Sequence, residues 1–401
     1  MEGPEILTHS GRLATRVIED LGDSNLMTCL GCGSCSNVCP VSEQGEMDPF
    51  RLVQSIIKGL DEDTLNTSWL WNCSLCGMCE SVCPMGIEIP KIVLLLRDLR
   101  GQDFVPKGLE RAIFSEMCFS NSESITPRQY MSLVEKAQGL YRQRSKQADF
   151  EIPVDKKGAS LLLLMDPILL KEKPEILADY CTLFGLLEEN WTITSLPFSS
   201  AEITIHAKGS QNEDLWMRRL TLICKELGIK RCLVDDCLNR LSSKAIRKWT
   251  GFNEQANMEV VSSLDLVAEG LKRGRFAASE KLKGPVTLQE PCLLLEGRSV
   301  FNEYRAILDA MFSDLKELVT PSENSVCCGG GLLRAGITKP LKSYEEAKVE
   351  QIKGSDAKAL LTFCATCFLQ LSALVRRQDM DVSVLFFPEA ACRFLKSANS
   401  S

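Results

Sequence analysis

The sequence has few histidines and no glycine-rich dinucleotide fingerprint. His9 and His206 are the two histidines among 401 residues, too few and too far apart for a histidine-based metal or acid–base site. No G-x-G-x-x-G motif follows a predicted strand, so NAD or flavin would be the cofactor of a partner. The net charge is −7, and no long basic block occurs, which argues against nucleic-acid binding and against a polybasic membrane contact.

Long apolar runs are also missing. The runs at 159–165 and 381–387 have the length of strands, not of membrane spans. The first twenty residues lack the basic-then-apolar layout of a signal peptide. We therefore expect a cytoplasmic protein with no membrane span of its own, in which any membrane contact comes through a partner subunit.

Cysteine, in contrast, is abundant. Nineteen cysteines occur in a chain without a recognisable secretion signal. In a reducing compartment such thiols are metal or redox ligands more often than disulfides. The sequence therefore predicts chemistry that depends on sulfur.

Two N-terminal runs repeat one cysteine spacing. Residues 29–40, CLGCGSCSNVCP, and 73–84, CSLCGMCESVCP, both read C-x2-C-x2-C-x3-C-P. This is the spacing of two-cluster ferredoxins, in which the fourth cysteine of each run binds the other cluster. Zinc sites are the alternative, but zinc usually takes two cysteine pairs, which this spacing fits poorly. We therefore assign one [4Fe–4S] cubane to Cys29, Cys32, Cys35 and Cys83, and a second cubane to Cys73, Cys76, Cys79 and Cys39.

The segment between the two runs predicts a helical module. Residues 48–60 and 88–100 have apolar side chains at helical spacing. With a helix between its cysteine runs, the region resembles the helical ferredoxin modules of fumarate reductase-type iron–sulfur subunits.

Beyond residue 156, strand-like apolar runs alternate with charged helical segments, which predicts α/β units. The strand-like runs are ASLLLLM, WTITSLPF, KRCLVDD, GPVTLQE, KALLTFC and VSVLFF. Residues 106–155 have no cysteine cluster, and SLVEKAQGLYRQRSKQ predicts an exposed helical connector. The predicted division is a ferredoxin domain at 1–105, a connector at 106–155, and α/β units at 156–278 and 279–401.

The two α/β units resemble one another. LMDPILL at 164–170 is similar to LQEPCLLL at 288–295, and CLVDDCLNRL at 232–241 is similar to LLTFCATCFLQL at 360–371. We interpret the pair as a repeat, although a chance similarity between two α/β units is the alternative. In the first copy, four residues would stand where the second has cysteines: Ile168, Ser199, Ser200 and Val234.

Five C-terminal cysteines follow the pattern C-x34-C-C-x35-C-x2-C. Together with EPC, CCGGG and TFCATC, this pattern resembles the cysteine-rich CCG domain of heterodisulfide reductase. The resemblance implies that Cys292, Cys327, Cys328, Cys364 and Cys367 hold a further, non-cubane [4Fe–4S] cluster. Glycines at 329, 330 and 331 would let the backbone approach this cluster closely, so Gly329, Gly330 and Gly331 are predicted to contribute to cofactor binding.

Other occupants of this site were weighed: zinc, an ordinary cubane, and a disulfide between Cys327 and Cys328. The remaining cysteines follow no ligand spacing and are predicted to be small buried side chains. They are Cys118, Cys181, Cys224, Cys232, Cys237 and Cys392. Cys237 would be a relic of the lost site in the first copy.

The resemblance implies an α+β multidomain chain in which a helical two-cluster ferredoxin precedes two CCG-type α/β repeats, the first without its cysteines. It also extends to the iron–sulfur subunits of anaerobic glycerol-3-phosphate dehydrogenase and of glycolate and lactate oxidases. It implies an oxidoreductase of an anaerobic organism. Implied partners are a flavin-containing heterodisulfide reductase A-like subunit, a hydrogenase-like subunit or a membrane cytochrome b.

Two functions follow from this resemblance. In the first, the chain is an electron-transfer subunit that passes electrons through the two cubanes to or from the CCG cluster. In the alternative, the CCG cluster itself reduces a disulfide, which would need cations near the cluster; Arg298, Arg334 and Lys339 are the candidates. The family's catalytic module carries two CCG sites and this chain keeps one, which favours electron transfer. A purely structural metal-binding role is the weakest interpretation.

Overall fold

A computed structural model gives the fold of most of the chain. It describes residues 12–22, 25–45, 47–100, 105–121, 123–199, 212–236, 259–278, 281–290, 299–316, 318 and 326–397. Several residues singled out in the sequence lie outside these ranges: His9, Ser200, His206, Cys237, Cys292 and Arg298. Among the described helices, none is long and apolar enough to cross a membrane.

The N-terminal region consists of short helices around two cysteine loops. The helices are α1 Arg12–Leu21, α2 Ser34–Asn37, α3 Pro49–Ile57, α4 Asp61–Asn66, α5 Trp69–Asn72, α6 Met78–Ser81 and α7 Ile89–Arg100. Asp48 begins α3, since its carboxylate accepts a hydrogen bond from the Arg51 amide at 2.9 Å. The helices predicted at 48–60 and 88–100 are confirmed as α3 and α7.

Two helices, α8 Lys107–Phe119 and α9 Pro127–Ser145, connect this region to the α/β part. A capping box between Thr126 and Gln129 begins α9. One face of α9 is buried in the core through Tyr130, Val134, Ala137 and Tyr141. The prediction of an exposed connector is therefore wrong for this face. Apolar residues spaced three and four apart form the buried stripe, while the charged residues that dominate the composition lie on the opposite side.

The first α/β unit has four parallel strands in the order β2-β1-β3-β4. The strands are β1 Leu161–Leu163, β2 Trp191–Ile193, β3 Arg231–Leu233 and β4 Glu259–Val261. The helices are α10 Pro167–Glu172, α11 Glu175–Leu187, α12 Asn212–Leu227 and α13 Ser263–Lys272. All three residues of β1 are buried, as expected of a strand covered by helices on both faces.

The second α/β unit has the same arrangement, in the order β7-β6-β8-β9, and its four strands are also parallel. They are β6 Leu282–Gln289, β7 Phe312–Lys316, β8 Ala359–Thr362 and β9 Ser383–Phe386. The helices are α14 Ser299–Met311, α15 Gly330–Arg334, α16 Leu341–Gly354, α17 Ala365–Arg377 and α18 Phe387–Phe394. The six strands predicted from apolar runs are confirmed in the two sheets.

A short antiparallel pair joins the two units. Strand β10, Leu395–Ser397, pairs with β5, Phe276–Ala278. These strands and β4 and β7 were not predicted, because they lack the long apolar runs that identified the others.

The N-terminal region packs directly on the second unit. Leu70 and Leu75 share one apolar cluster with Leu332 and Leu371. The chain approaches itself most closely between two glycines: a Cβ added to Gly108 would lie 2.3 Å from the carbonyl oxygen of Gly336. The cysteine loops of the N-terminal region are therefore held against the cysteine-bearing face of the second unit.

Candidate iron–sulfur sites

The first thiol group is formed by Cys29, Cys32, Cys35 and Cys83. All four line one pocket, and the thiol of Cys35 is close enough to those of Cys29 and Cys83 to interact with them electrostatically. Cys83 belongs to the second sequence run, so the fold brings the two runs together as two-cluster ferredoxin spacing predicts. The Ile87 amide donates to the Cys83 sulfur at 3.4 Å.

One edge of this group faces solvent. Cys32 is exposed, and its neighbour Leu30 is 69% exposed. A hydrogen bond of 3.4 Å with the Ser34 hydroxyl lowers the pKa of the Cys32 thiol. The first thiol group is thus reachable from the surface.

The second thiol group is formed by Cys39, Cys73, Cys76 and Cys79. The thiols of Cys73 and Cys39 interact electrostatically with both Cys76 and Cys79. Cys79 also interacts with Cys35, so the two groups adjoin.

The loop that carries Cys73 has a left-handed residue that is not glycine. Leu75 has φ +61°, at the place where the first run has Gly31 with φ +72°. Such a conformation costs a bulky residue about 1–2 kcal/mol. It directs the Leu75 amide to the Cys73 sulfur, 3.4 Å away. Amide hydrogen bonds to sulfur are a recognised feature of iron–sulfur ligands.

A buried arginine supports this loop. Arg97 is 2% exposed and donates to the carbonyl oxygens of Leu70 and Cys73, each at 2.6 Å. Its guanidinium carbon lies 5.1 Å from the centre of the Trp71 ring. Burial lowers the Arg97 pKa to about 10, so it is a cation at neutral pH.

Burial controls the protonation of these thiols. It raises the pKa of Cys35 to about 11 and that of Cys39 to about 12. The pKa values of Cys76 and Cys79 are raised for the same reason. Without a metal these thiols stay protonated at neutral pH, and binding of iron would release their protons.

The cysteine-rich site is defined as Cys292, Cys327, Cys328, Cys364 and Cys367, of which Cys292 lies outside the described residues. The other four are at most 2% exposed. The sulfurs of Cys328 and Cys367 are 3.4 Å apart. The Gly329 amide donates to the Cys327 sulfur at 3.4 Å, and the Gly330 amide to the Cys328 sulfur at 3.3 Å.

Glycine is required at this loop. Gly329 has φ +75°, and a Cβ at Gly330 would lie 2.6 Å from Thr366 Cγ2 and 3.2 Å from the Cys328 sulfur. Gly331 lies in α15, where its carbonyl oxygen accepts from the Ala335 amide at 2.9 Å. The first two glycines therefore let the amides reach the sulfurs, while the third lies within the helix.

Parallel strands bring the cysteine-rich site together. Cys364 and Cys367 follow β8, and Cys364 is the residue before α17, where its sulfur accepts from the Cys367 amide at 3.4 Å. Among the described residues, no group of three or more His, Cys, Asp or Glu side chains is arranged to hold one metal ion. The fit to a cluster rests instead on four buried thiols with amide donors aimed at sulfur.

The second thiol group lies beside the cysteine-rich site. Cys73 and Cys76 both interact electrostatically with Cys327. Tyr344 of α16 is 1% exposed. Its hydroxyl accepts from the Ser74 amide at 3.1 Å and donates to the Asn72 carbonyl oxygen at 3.2 Å.

Sequence reasoning missed two carboxylates of the first unit. The Cys364 thiol donates to Asp236 Oδ1 at 3.1 Å. Arg334 lies 2.8 Å from Asp166 and 3.8 Å from Asp236. Both aspartates follow buried parallel strands, and acidic residues at such carboxyl ends could have been noticed.

The other candidates are placed differently. Arg334 is buried beside the site, whereas Lys339 is exposed. Cys181, Cys224 and Cys232 are buried as predicted, and Cys392 is half-buried. The prediction for Cys118 is wrong, since this residue is exposed.

Comparisons with known proteins agree with this geometry. The family described as "4Fe-4S dicluster domain" matches residues 25–87, and the family described as "Cysteine-rich domain" matches residues 286–372. A protein of Archaeoglobus profundus, named as similar to a heterodisulfide reductase subunit, is 32% identical over 65 residues. This chain is a heterodisulfide reductase-like iron–sulfur protein.

Two further relatives are redox proteins by name. A subunit of the fumarate reductase (CoM/CoB) of Methanothermobacter marburgensis is 31% identical over 102 residues, and EtfAB:quinone oxidoreductase of Syntrophomonas wolfei is 22% identical over 144 residues. The three matches cover 16–33% of this chain and 20–35% of the relatives. The predicted resemblance to heterodisulfide reductase, and the presence of iron–sulfur domains, are confirmed.

Proposed function

We propose that this heterodisulfide reductase-like chain is the electron-transfer subunit of an oxidoreductase complex, with its three thiol groups arranged in series. The first and second thiol groups would each hold a [4Fe–4S] cubane, and the cysteine-rich site a non-cubane [4Fe–4S] cluster. When bound, such clusters accept and release single electrons.

The contact between Cys76 and Cys327 carries this proposal. It places the second thiol group between the other two, since Cys79 adjoins Cys35 on one side and Cys76 adjoins Cys327 on the other. The roles of the chain's own residues follow from this order. The exposed Cys32 edge faces a redox partner, and Tyr344 fixes the loop of the second group against the second unit.

The burial of the cysteine-rich site supports electron transfer over the alternative, catalytic disulfide reduction. A substrate disulfide must bring its sulfur to a metal, whereas electrons reach a buried site without contact. The described thiols of the site are at most 2% exposed. The nearest cation, Arg334, already lies 2.8 Å from Asp166, so its charge is compensated within the protein.

We further propose that the first unit is a copy of the second that has lost its cysteines. The shared strand order supports this relation. At the corresponding strand ends the first unit has Asp166, Ser199 and Asp236, which contribute hydrogen bonds and charge instead of thiolates.

The test is an assay of the anaerobically purified chain with reduced viologen and a disulfide. Electron transfer predicts that the clusters are reduced but no thiol is produced. Sustained thiol production by the chain alone would contradict the proposal. Anaerobic purification from the host, followed by mass spectrometry, would identify the partner; a flavoprotein, a hydrogenase-like subunit or a cytochrome b is expected.

A further inference from the structure

Three charged side chains of the two α/β units meet beside the cysteine-rich site. Asp166 and Asp236, from the first unit, are 5% and 3% exposed. The side chain of Arg334, from the second unit, is 8% exposed. Buried charges are costly unless they are paired, so this cluster is held together by its own interactions.

Asp236 contacts the site directly. Its Oδ1 accepts a hydrogen bond from the Cys364 thiol at 3.1 Å, and its Oδ2 accepts one from the Thr366 hydroxyl at 3.3 Å. When Cys364 binds iron as a thiolate, the hydrogen bond from its thiol is lost and a carboxylate is left next to a ligand sulfur. A negative charge at this distance disfavours the addition of an electron.

Arg334 counters that charge and fixes the carboxylate. Its Nη1 donates to Thr366 Oγ1 at 2.9 Å and lies 3.8 Å from Asp236 Oδ2. Its Nη2 donates to Asp166 Oδ2 at 2.8 Å. Asp166 is itself fixed at the start of α10, where Oδ1 accepts from the amides of Ile168 and Leu169 at 2.9 and 3.0 Å.

Reduction potentials of iron–sulfur clusters depend on the net charge nearby and on hydrogen bonds to the sulfurs. We propose that Asp236 and Arg334 are an opposed pair of positioning residues that set the potential of the cluster in the cysteine-rich site. Asp236 lowers the potential and Arg334 raises it. The inference rests on the proposed function in so far as this site holds a cluster. In this account the first unit supplies a charge to the site of the second.

The test is an anaerobic redox titration of the full chain, followed by electron paramagnetic resonance. Asp236→Asn removes the negative charge with almost no change of shape. We expect it to raise the potential of this cluster by about 59 mV or more, which is a tenfold change in a one-electron reduction equilibrium. Arg334→Gln is expected to shift the potential in the opposite direction, and Arg334→Lys to restore it towards the wild-type value.

Asp166→Asn is the matched control. It removes a carboxylate bound to the same arginine, but Asp236 is the one that contacts Cys364, so a smaller upward shift is expected. The two N-terminal cubanes provide an internal reference whose potentials should not move. If Arg334→Gln fails to assemble the cluster, Asp236→Asn and Arg334→Lys still decide the question.

Unchanged potentials in Asp236→Asn would overturn the inference, as would shifts of one sign in Asp236→Asn and Arg334→Gln. Iron and sulfide analysis separates this failure from that of the proposed function. If the wild-type site assembles no cluster, both fall. If the wild-type cluster is present and accepts electrons while the variants titrate like wild type, the inference alone falls.

Discussion

The hydroxyl of Tyr344 accepts a hydrogen bond from the backbone amide of Ser74, 3.1 Å away. Ser74 lies between Cys73 and Cys76, whereas Tyr344 belongs to α16 of the second unit. The loop that carries the second thiol group is therefore held by a buried contact to the unit that carries the cysteine-rich site.

Tyr344→Phe should weaken this contact. The substitution leaves the Ser74 amide and the Asn72 carbonyl oxygen without the hydroxyl, in a buried environment, which costs about 1–3 kcal/mol. Anaerobic denaturant unfolding would measure the loss. Tyr130→Phe is the matched control, since this equally buried hydroxyl makes a longer bond of 3.4 Å to Met165. Equal losses in the two variants would contradict the role given to Tyr344.

Gly108→Ala should disrupt the packing of the N-terminal region on the second unit. The added Cβ would meet the Gly336 backbone at 2.3 Å, and such overpacking costs about 1–3 kcal/mol. Gly139→Ala, in α9 with open space around it, should instead stabilise the chain by about 0.5–1 kcal/mol. Thermal unfolding of both variants tests the prediction, and a neutral Gly108→Ala would show that the two glycines are not in contact.

Glu116 should make stability depend on pH. Burial raises its pKa to about 7, although Ser199 donates a hydrogen bond to it at 2.7 Å. Between its unfolded and folded pKa values, the folded chain binds more protons than the unfolded chain, so the free energy of unfolding contributed by Glu116 falls as pH rises through this range.

Glu116→Gln removes this dependence. Relative to wild type, the variant should gain about 2 kcal/mol between pH 5.5 and 7. Anaerobic unfolding at several pH values measures the difference, with Glu350→Gln on an exposed face of α16 as the control. A constant difference across this range would contradict the prediction.

Cys83→Ala should remove the cluster of the first thiol group, although Cys83 belongs to the second sequence run. The chain is expected to lose about four iron atoms while the second group keeps its cluster, because Cys83 lines the pocket of Cys29, Cys32 and Cys35. Iron analysis and electron paramagnetic resonance would show which cluster is lost. Loss of the second cluster alone would mean that the runs do not exchange their fourth cysteines.

Much of this arrangement was predictable from local patterns. The strands β1, β3 and β8 were found because short apolar runs between charged segments are typical of buried parallel strands. The grouping of Cys83 with Cys35 could be predicted despite their separation, since the spacing of each run is a constraint imposed by the cluster.

The contacts between units could not be predicted in this way. Asp236 and Cys364 are separated by 128 residues, and their contact depends on how two similar units pack. The buried stripe of α9 was missed because its charged face dominates the composition. Tyr344 gave no signal, since a tyrosine in a charged helix is ordinary until the N-terminal region packs on it.

The most direct test of the series is to interrupt it at Cys76. A dithionite-reduced ferredoxin would serve as donor, and freeze-quench electron paramagnetic resonance would follow each cluster in wild type, Cys76→Ser and the exposed control Cys118→Ser. The account predicts that Cys76→Ser leaves reduction of the first group intact but slows reduction of the cysteine-rich site to a small fraction of the wild-type rate, while Cys118→Ser behaves as wild type. Equal rates at the cysteine-rich site in Cys76→Ser and wild type would contradict the proposed order.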